Sequence, residues 1–146
     1  MKLSLAEIVN EAIKKKNNPE KVAWLKQNNS EPLRMVLQIM YDKNITVLLP
    51  NSEPPYKPSE VIDSEGMLFR EARRLKLFVK GAGYDNLNQI KREQLFIGLL
   101  EDVDKKDARL LIQMILQKPL TGLPISVIKE SFPGLITEIQ TEKKED

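Results

Sequence analysis

The sequence predicts an all-α fold: a single compact domain of six or seven helices, crossed by one extended proline-rich strap. Three observations carry that prediction. Apolar residues recur at intervals of three and four along most of the chain. Residues that cap helices stand at the starts of those runs. Four prolines, at 50, 54, 55 and 58, gather in the one stretch where the helical period lapses.

Taken in order, the elements follow from these signals. Ser4 with Glu7 has capping-box spacing, and Leu5, Ile8, Val9, Ala12 and Ile13 then form one apolar face. In "NNPEKVAWLKQN", Asn18 is the expected cap and Pro19 the first helical residue, where a missing N–H costs nothing. Ser30 opens a third helix that turns Leu33, Val36, Leu37, Met40 and Tyr41 inward. The strap over 45–58 starts apolar, at Ile45–Leu49. It is either an ordered loop held by buried Leu48, Leu49 and Tyr56, or a docking motif for an aromatic-lined groove. A long helix is expected from Asp63 to Lys80, with Met67, Leu68, Ala72, Leu75, Phe78 and Val79 on one side. Gly81 and Gly83 suit a left-handed stop. The next helix, over 87–102, should bury Ile90, Leu95, Phe96, Leu99 and Leu100. Asp104 caps another, which turns in Ala108, Leu111, Ile112 and Ile115, and Pro124 begins a short last helix. The domain so defined is 1–136, followed by a short acidic tail at 137–146.

Composition narrows the chemistry. A chain of 146 residues, 41% hydrophobic and 30% charged, can bury a core without metals or disulfides. It contains no cysteine and no histidine, which excludes disulfides, the usual zinc sites and Ser-His or Cys-His nucleophiles. No apolar run approaches a membrane span, and the acidic residues of "MKLSLAEIVNEAIKKK" do not fit a signal peptide, so a cytoplasmic protein is expected. No cofactor, metal, membrane or small-molecule substrate is expected. Net charge is only +2, but it is sorted. Residues 64–92 hold seven basic against three acidic residues, and the last ten hold four acidic against two basic.

Candidate sites follow from that sorting. On the long helix Arg70, Arg73, Arg74, Lys76 and Lys80 lie opposite the apolar face, with Glu65 and Glu71 as counter-charges. Such a face either is solvated or meets phosphates. "KGAGYDN" lacks the lysine-hydroxyl ending of a phosphate loop and reads as a helix stop. Of Glu101, Asp102, Asp104 and Asp107, the last two read as helix-start carboxylates, and nothing about the four requires a metal. Near the end, Lys118 precedes a turn at Thr121 and Gly122 and a helix start at Ser126, where backbone amides beside a cation could hold phosphate.

Two stretches resemble a known family. "NSEPLRMVLQIMYDKNITVLLP" and "NQIKREQLFIGLLEDVDKKDARLLIQMILQKPLTGLPISVIKESFPGLI" are similar to the N-terminal helical DNA-binding domain of tailed-phage ATP-dependent DNA ligases. They also resemble small phage proteins that share "LLPNSEPPYKP". In the ligases a basic residue, an acidic residue, a leucine and a glycine precede a short helix and a Pro-Gly-Leu-Ile hinge. Lys118, Leu120, Gly122 and Pro133–Ile136 match that pattern, whereas Pro119 stands in place of the acidic residue. The resemblance spans about residues 30–136. It implies a domain that holds duplex DNA by backbone and minor groove, with the ligase's catalytic domain following the hinge. The nucleotidyltransferase motif Lys-x-Asp-Gly does not occur in this sequence, so no enzymatic activity is expected.

The expected function is therefore a duplex-DNA-binding module of phage DNA replication or repair, located in the host cytoplasm, with a phage replication protein as a further partner. Its contacts would be Arg70, Arg73, Arg74, Lys76, Lys80 and Lys118, joined by the amides near Thr121, Gly122 and Ser126. The eight aromatic residues mostly fall on apolar faces, so single-strand stacking is not expected. The alternative is a protein–protein adaptor that kept the fold and lost DNA, using the strap around Pro54–Pro58 and the acidic end.

Overall fold

The computed structural model of the protein describes residues 3–58 and 67–137. Among them, seven α-helices and one 3-10 helix follow in order: α1 (Leu5–Lys14), α2 (Asn18–Gln27), α3 (Glu31–Tyr41), α4 (Met67–Glu71), the 3-10 helix η1 (Ala72–Phe78), α5 (Gln89–Asp102), α6 (Lys105–Ile115) and α7 (Ile125–Ser131). The all-α class is as the sequence predicts. No helix of the described residues is long and apolar enough to cross a membrane.

Capping chemistry sets most of the boundaries. Ser4 Oγ accepts from the Glu7 N–H at 3.2 Å while Glu7 Oε1 accepts from the Ser4 N–H at 2.9 Å, closing the box at α1. Ser30 and Asp104 cap α3 and α6. At α2 the cap is Asn17 and not Asn18, because Asn17 Oδ1 reaches the Glu20 N–H at 3.0 Å, the donor three residues on.

Helix α6 is the axis of the core. It packs against α1, α3 and α5 and buries Ala108, Leu110, Leu111, Ile112, Met114 and Ile115, more than one stripe of its surface. Helix α2 packs against α1 and α7, and η1 lies on α3 and α5. Phe78 of η1 meets Phe96 of α5 edge to face, with ring centroids 5.1 Å apart.

Two helical expectations need correction. The first residues of the helix expected over 63–80 lie outside the described residues, and the rest is not one α-helix: α4 gives way to η1 at Ala72. With three residues per turn, Ala72, Leu75 and Phe78 stack on one edge, and all three are buried. An α-helical period would instead have turned Phe78 about 120° away from Ala72. In α5 the buried stripe is Arg92, Phe96, Leu99 and Leu100. Ile90, expected in the core, is 69% exposed, because two residues from Arg92 is about 200° around the helix.

Residues 45–58 form no helix. Ile45, Val47 and Leu49 pack against the core on alternate positions, and Tyr56 joins them. All are half-buried, as is Leu48, which is not among the packed residues. The fixing is by backbone: an isolated antiparallel bridge joins Val47 and Val79, with Leu48 N–H on Phe78 O at 2.7 Å and Lys80 N–H on Thr46 O at 2.9 Å. Farther on, Glu53 pairs with Arg109 at 2.9 Å, and the Lys57 N–H donates to Glu101 Oε2 at 2.8 Å. The Phe-Pro-Gly corner is fastened to α3, where Gln38 Nε2 donates to Leu135 O at 3.0 Å and the Thr137 N–H to Asp42 Oδ2 at 2.9 Å.

Candidate nucleic-acid interface

The 3-10 period that buries Ala72, Leu75 and Phe78 also aligns the cations. Arg73 and Lys76 stand one turn apart, about 6 Å, on the exposed edge of η1, and Arg70 stands at the preceding turn in α4. All three are exposed, and with Glu71, Arg74, Leu77 and Tyr84 they line one concavity of 370 Å³. Arg74 faces differently. Its side chain is 29% exposed and pairs with Glu71 at 3.3 Å and with Asp102, at the end of α5, at 3.5 Å. Two carboxylates already occupy it, which weakens it as a phosphate contact.

Of two groups that sequence reasoning did not assign, Tyr84 lines this groove and Arg92 lies buried behind its loop. Arg92 is 3% exposed and binds oxygen atoms only: Leu77 O at 3.0 Å, Tyr84 O at 2.7 Å, Asp85 O at 3.4 Å and Gln89 Oε1. Among the described residues it makes no ion pair, and its guanidinium is held by these oxygens behind the loop that joins η1 to α5. The signal for it was available, since Arg92 sits on the core stripe four residues before Phe96. Tyr84 is 46% exposed at the groove. An aromatic between Gly83 and Asp85 has no helical face to join, and that was its signal.

The remaining expected residues are not gathered here. Lys80 is exposed beyond the Val47–Val79 bridge and does not line the groove. Lys118 opens into a separate groove of 570 Å³ between α1 and α6, together with Lys106 and Arg109. Hydrogen bonds to Glu53 first, and then to Tyr56, raise the Arg109 guanidinium above its ordinary value. Thr121, Gly122 and Ser126 are exposed on a third surface. There the Gly122 carbonyl accepts from Lys21 Nζ, and Tyr41 holds the turn by donating to Leu123 O at 2.6 Å and accepting from the Leu120 N–H at 3.0 Å. Helix α7 has no side-chain cap and only seven residues, a weak anion site.

The glycine turn and the carboxylates have structural partners. Gly81 and Gly83 take positive φ, and Asp85 Oδ1 accepts the Gly81 N–H at 2.8 Å, putting an acid where a phosphate loop needs open amides. Glu101 holds the strap, Asp102 pairs with Arg74, and Asp104 caps α6. Asp107, expected to serve its own helix, is fully buried and accepts the Ala6 N–H at 2.8 Å, so it caps α1 instead. Among the described residues no three acidic side chains form a group that could hold a metal ion.

The chain belongs to a family of unknown function (DUF6433), which matches residues 8–120. None of the curated proteins matches it. The family match takes in Arg70, Arg73, Arg74, Lys76, Lys80, Lys118 and both grooves' cations, and it ends before Thr121. The corner at 133–136, a distinctive part of the ligase resemblance, lies outside it.

Proposed function

We propose that the protein is a non-catalytic duplex-DNA-binding module, meeting phosphate backbone and minor groove without reading sequence. The observation that carries this reading is the alignment of Arg70, Arg73 and Lys76 along one exposed edge. A row of cations at a pitch of about 6 Å suits a repeating polyanion better than a single anion. Arg92, behind the same loop, fixes the carbonyls of Leu77 and Tyr84, both of which line this groove. The ligase resemblance supplies the setting, phage DNA replication or repair in a host cytoplasm.

A second reading has its own observation. Lys118 stands apart from the row, in a groove whose floor includes Val9, Leu110 and Leu120. That mixture of apolar floor and cationic wall suits an acidic protein partner, as the adaptor reading requires.

Binding of a labelled duplex across a salt series separates the two. With three or four phosphates met, log K falls against log salt with a slope of about −3, which is about 60-fold from roughly 50 to 200 mM. Arg73→Glu, Lys76→Glu and Lys80→Glu together reverse charge on exposed side chains only, and each costs at most roughly 0.5 kcal/mol of stability. The triple variant therefore stays folded and loses duplex binding. Affinity indifferent to salt, or unchanged by this reversal, would sink the DNA reading in favour of the adaptor.

A further inference from the structure

We propose that Tyr84 is a stacking platform for an unpaired base, so that the groove selects DNA in which a single strand adjoins duplex. The inference rests on the DNA-binding reading above and specifies the form of DNA. It also reverses the expectation that this protein has no surface for stacking.

Isolated exposed aromatics are common on protein surfaces. Tyr84 is set apart by what surrounds and supports it. The residue is 46% exposed and lines the same concavity as Arg70, Arg73 and Lys76, so an aromatic side chain and a cationic row border one space, with Glu71 its one carboxylate. Electropositive grooves that hold single strands combine those two features, the cations tracking the backbone and the ring taking a base. A volume of 370 Å³ is at the low end of small-molecule pockets, suited to one nucleotide unit.

The point where the ring is attached is held firmly. Arg92 Nη2 donates to the Tyr84 carbonyl at 2.7 Å, and the Leu87 N–H donates to the same oxygen at 3.1 Å. Gly83, at φ +103°, turns the chain immediately before it, and Asp85 closes the turn on the Gly81 N–H. A buried guanidinium is thus devoted to fixing the backbone of an exposed tyrosine. Little ordering remains to be done on binding, because a tyrosine on a fixed backbone has only two side-chain torsions to restrict. An intact duplex keeps its base faces stacked on one another. The ring finds a partner only where a base has left the stack.

The test compares a blunt duplex with the same duplex extended by a tail of about ten thymines, both fluorescein-labelled and read by anisotropy. The wild type binds the tailed probe about tenfold more tightly. Tyr84→Ala erases that preference and keeps the blunt-duplex affinity, whereas Tyr84→Trp retains both. Since Tyr84→Ala preserves every cation, affinity due to the tail's extra phosphates alone would survive in it. A tail preference that persists in Tyr84→Ala, or equal binding of both probes by the wild type, overturns this inference and leaves the DNA reading standing. Binding of neither probe overturns the DNA reading itself, and this inference with it.

Discussion

Replacing Arg92 by methionine should be among the most damaging single changes to this fold, although no ion pair would be lost. The side chain is 3% exposed, and its guanidinium donates to three backbone carbonyls, of Leu77, Tyr84 and Asp85, and to the side-chain amide of Gln89. Leu77 and Tyr84 accept at 3.0 and 2.7 Å, while the Asp85 contact at 3.4 Å is weak. Hydrogen bonds from a charged donor are worth about 1.5–3 kcal/mol each, and a carbonyl left buried without a donor costs about 1–3 kcal/mol. Against this, methionine fills part of the space and removes the cost of burying a cation. The balance is a loss of about 2–4 kcal/mol, a large part of an ordinary domain's stability. At a urea slope of about 1.5–2 kcal/mol per molar, the unfolding midpoint falls by roughly 1–2 M. Arg92→Lys keeps the charge but cannot present a planar fork to several carbonyls, so it recovers only part of the loss. In that variant the amides of the loop between η1 and α5 should exchange with solvent faster, while those of α6 stay protected. A methionine variant within about 0.5 kcal/mol of wild type would refute the argument, because the network would then be doing no more than replacing water.

Two other predictions concern the turn that follows α6. Burial raises the Tyr41 hydroxyl above its ordinary value of 10.0, and the hydrogen bond from the Leu120 N–H offsets part of that rise. A folded pKa above the unfolded one gives stability that is complete below about pH 10 and is lost as pH rises through the folded value. Urea midpoints at about pH 8 and pH 11 should therefore drop further for wild type than for Tyr41→Phe; equal drops would refute this. At neutral pH, Tyr41→Phe costs about 1–3 kcal/mol, because the Leu123 carbonyl and Leu120 N–H lose their partner. Gly122→Ala should cost about 1–3 kcal/mol by thermal melting, from φ +89° and a Cβ 3.0 Å from Ile13 Cγ2. A neutral result would mean that α1 yields easily there.

How much of this was legible in the sequence depended on whether one period governed the segment. Helices α1, α3 and α6 repeat at the α-helical interval with a cap residue before them, and their expected faces are buried except Ile13, which is half-buried, while α6 also buries Asp107, Leu110 and Met114. Residues 67–78 change period midway, from α4 to η1. A helical wheel drawn at 100° per residue places Leu68, Ala72, Leu75 and Phe78 inside and Arg73 beside Lys76, as the structure does, but wrongly adds Lys80 to that row. In α5 the error had a different source. The reading assigned side chains by type, so Ile90 was placed inside and Arg92 was passed over, whereas the phase set by Phe96, Leu99 and Leu100 does the reverse. Asp107 illustrates a third limit: it sits where a carboxylate serves its own helix, yet it caps a partner 101 residues away in sequence. Long-range pairings of this kind leave no mark in local spacing.

The change of period at Ala72 also explains why the candidate interface lies where it does. An α-helix over these residues would bring Ala72, Leu75 and Val79 to one face and turn Phe78 about 120° from Ala72. With three residues per turn, Lys76 moves over Arg73 and Phe78 takes the place at the core, where Phe96 meets it. Val79 is freed to bridge Val47, which ends the helix and sends the chain into the glycine turn that carries Tyr84. The packing of Phe78 and the alignment of Arg73 with Lys76 are therefore one event. Any substitution that restores α-helical spacing here should disturb the core and turn Lys76 about 60° from Arg73 together.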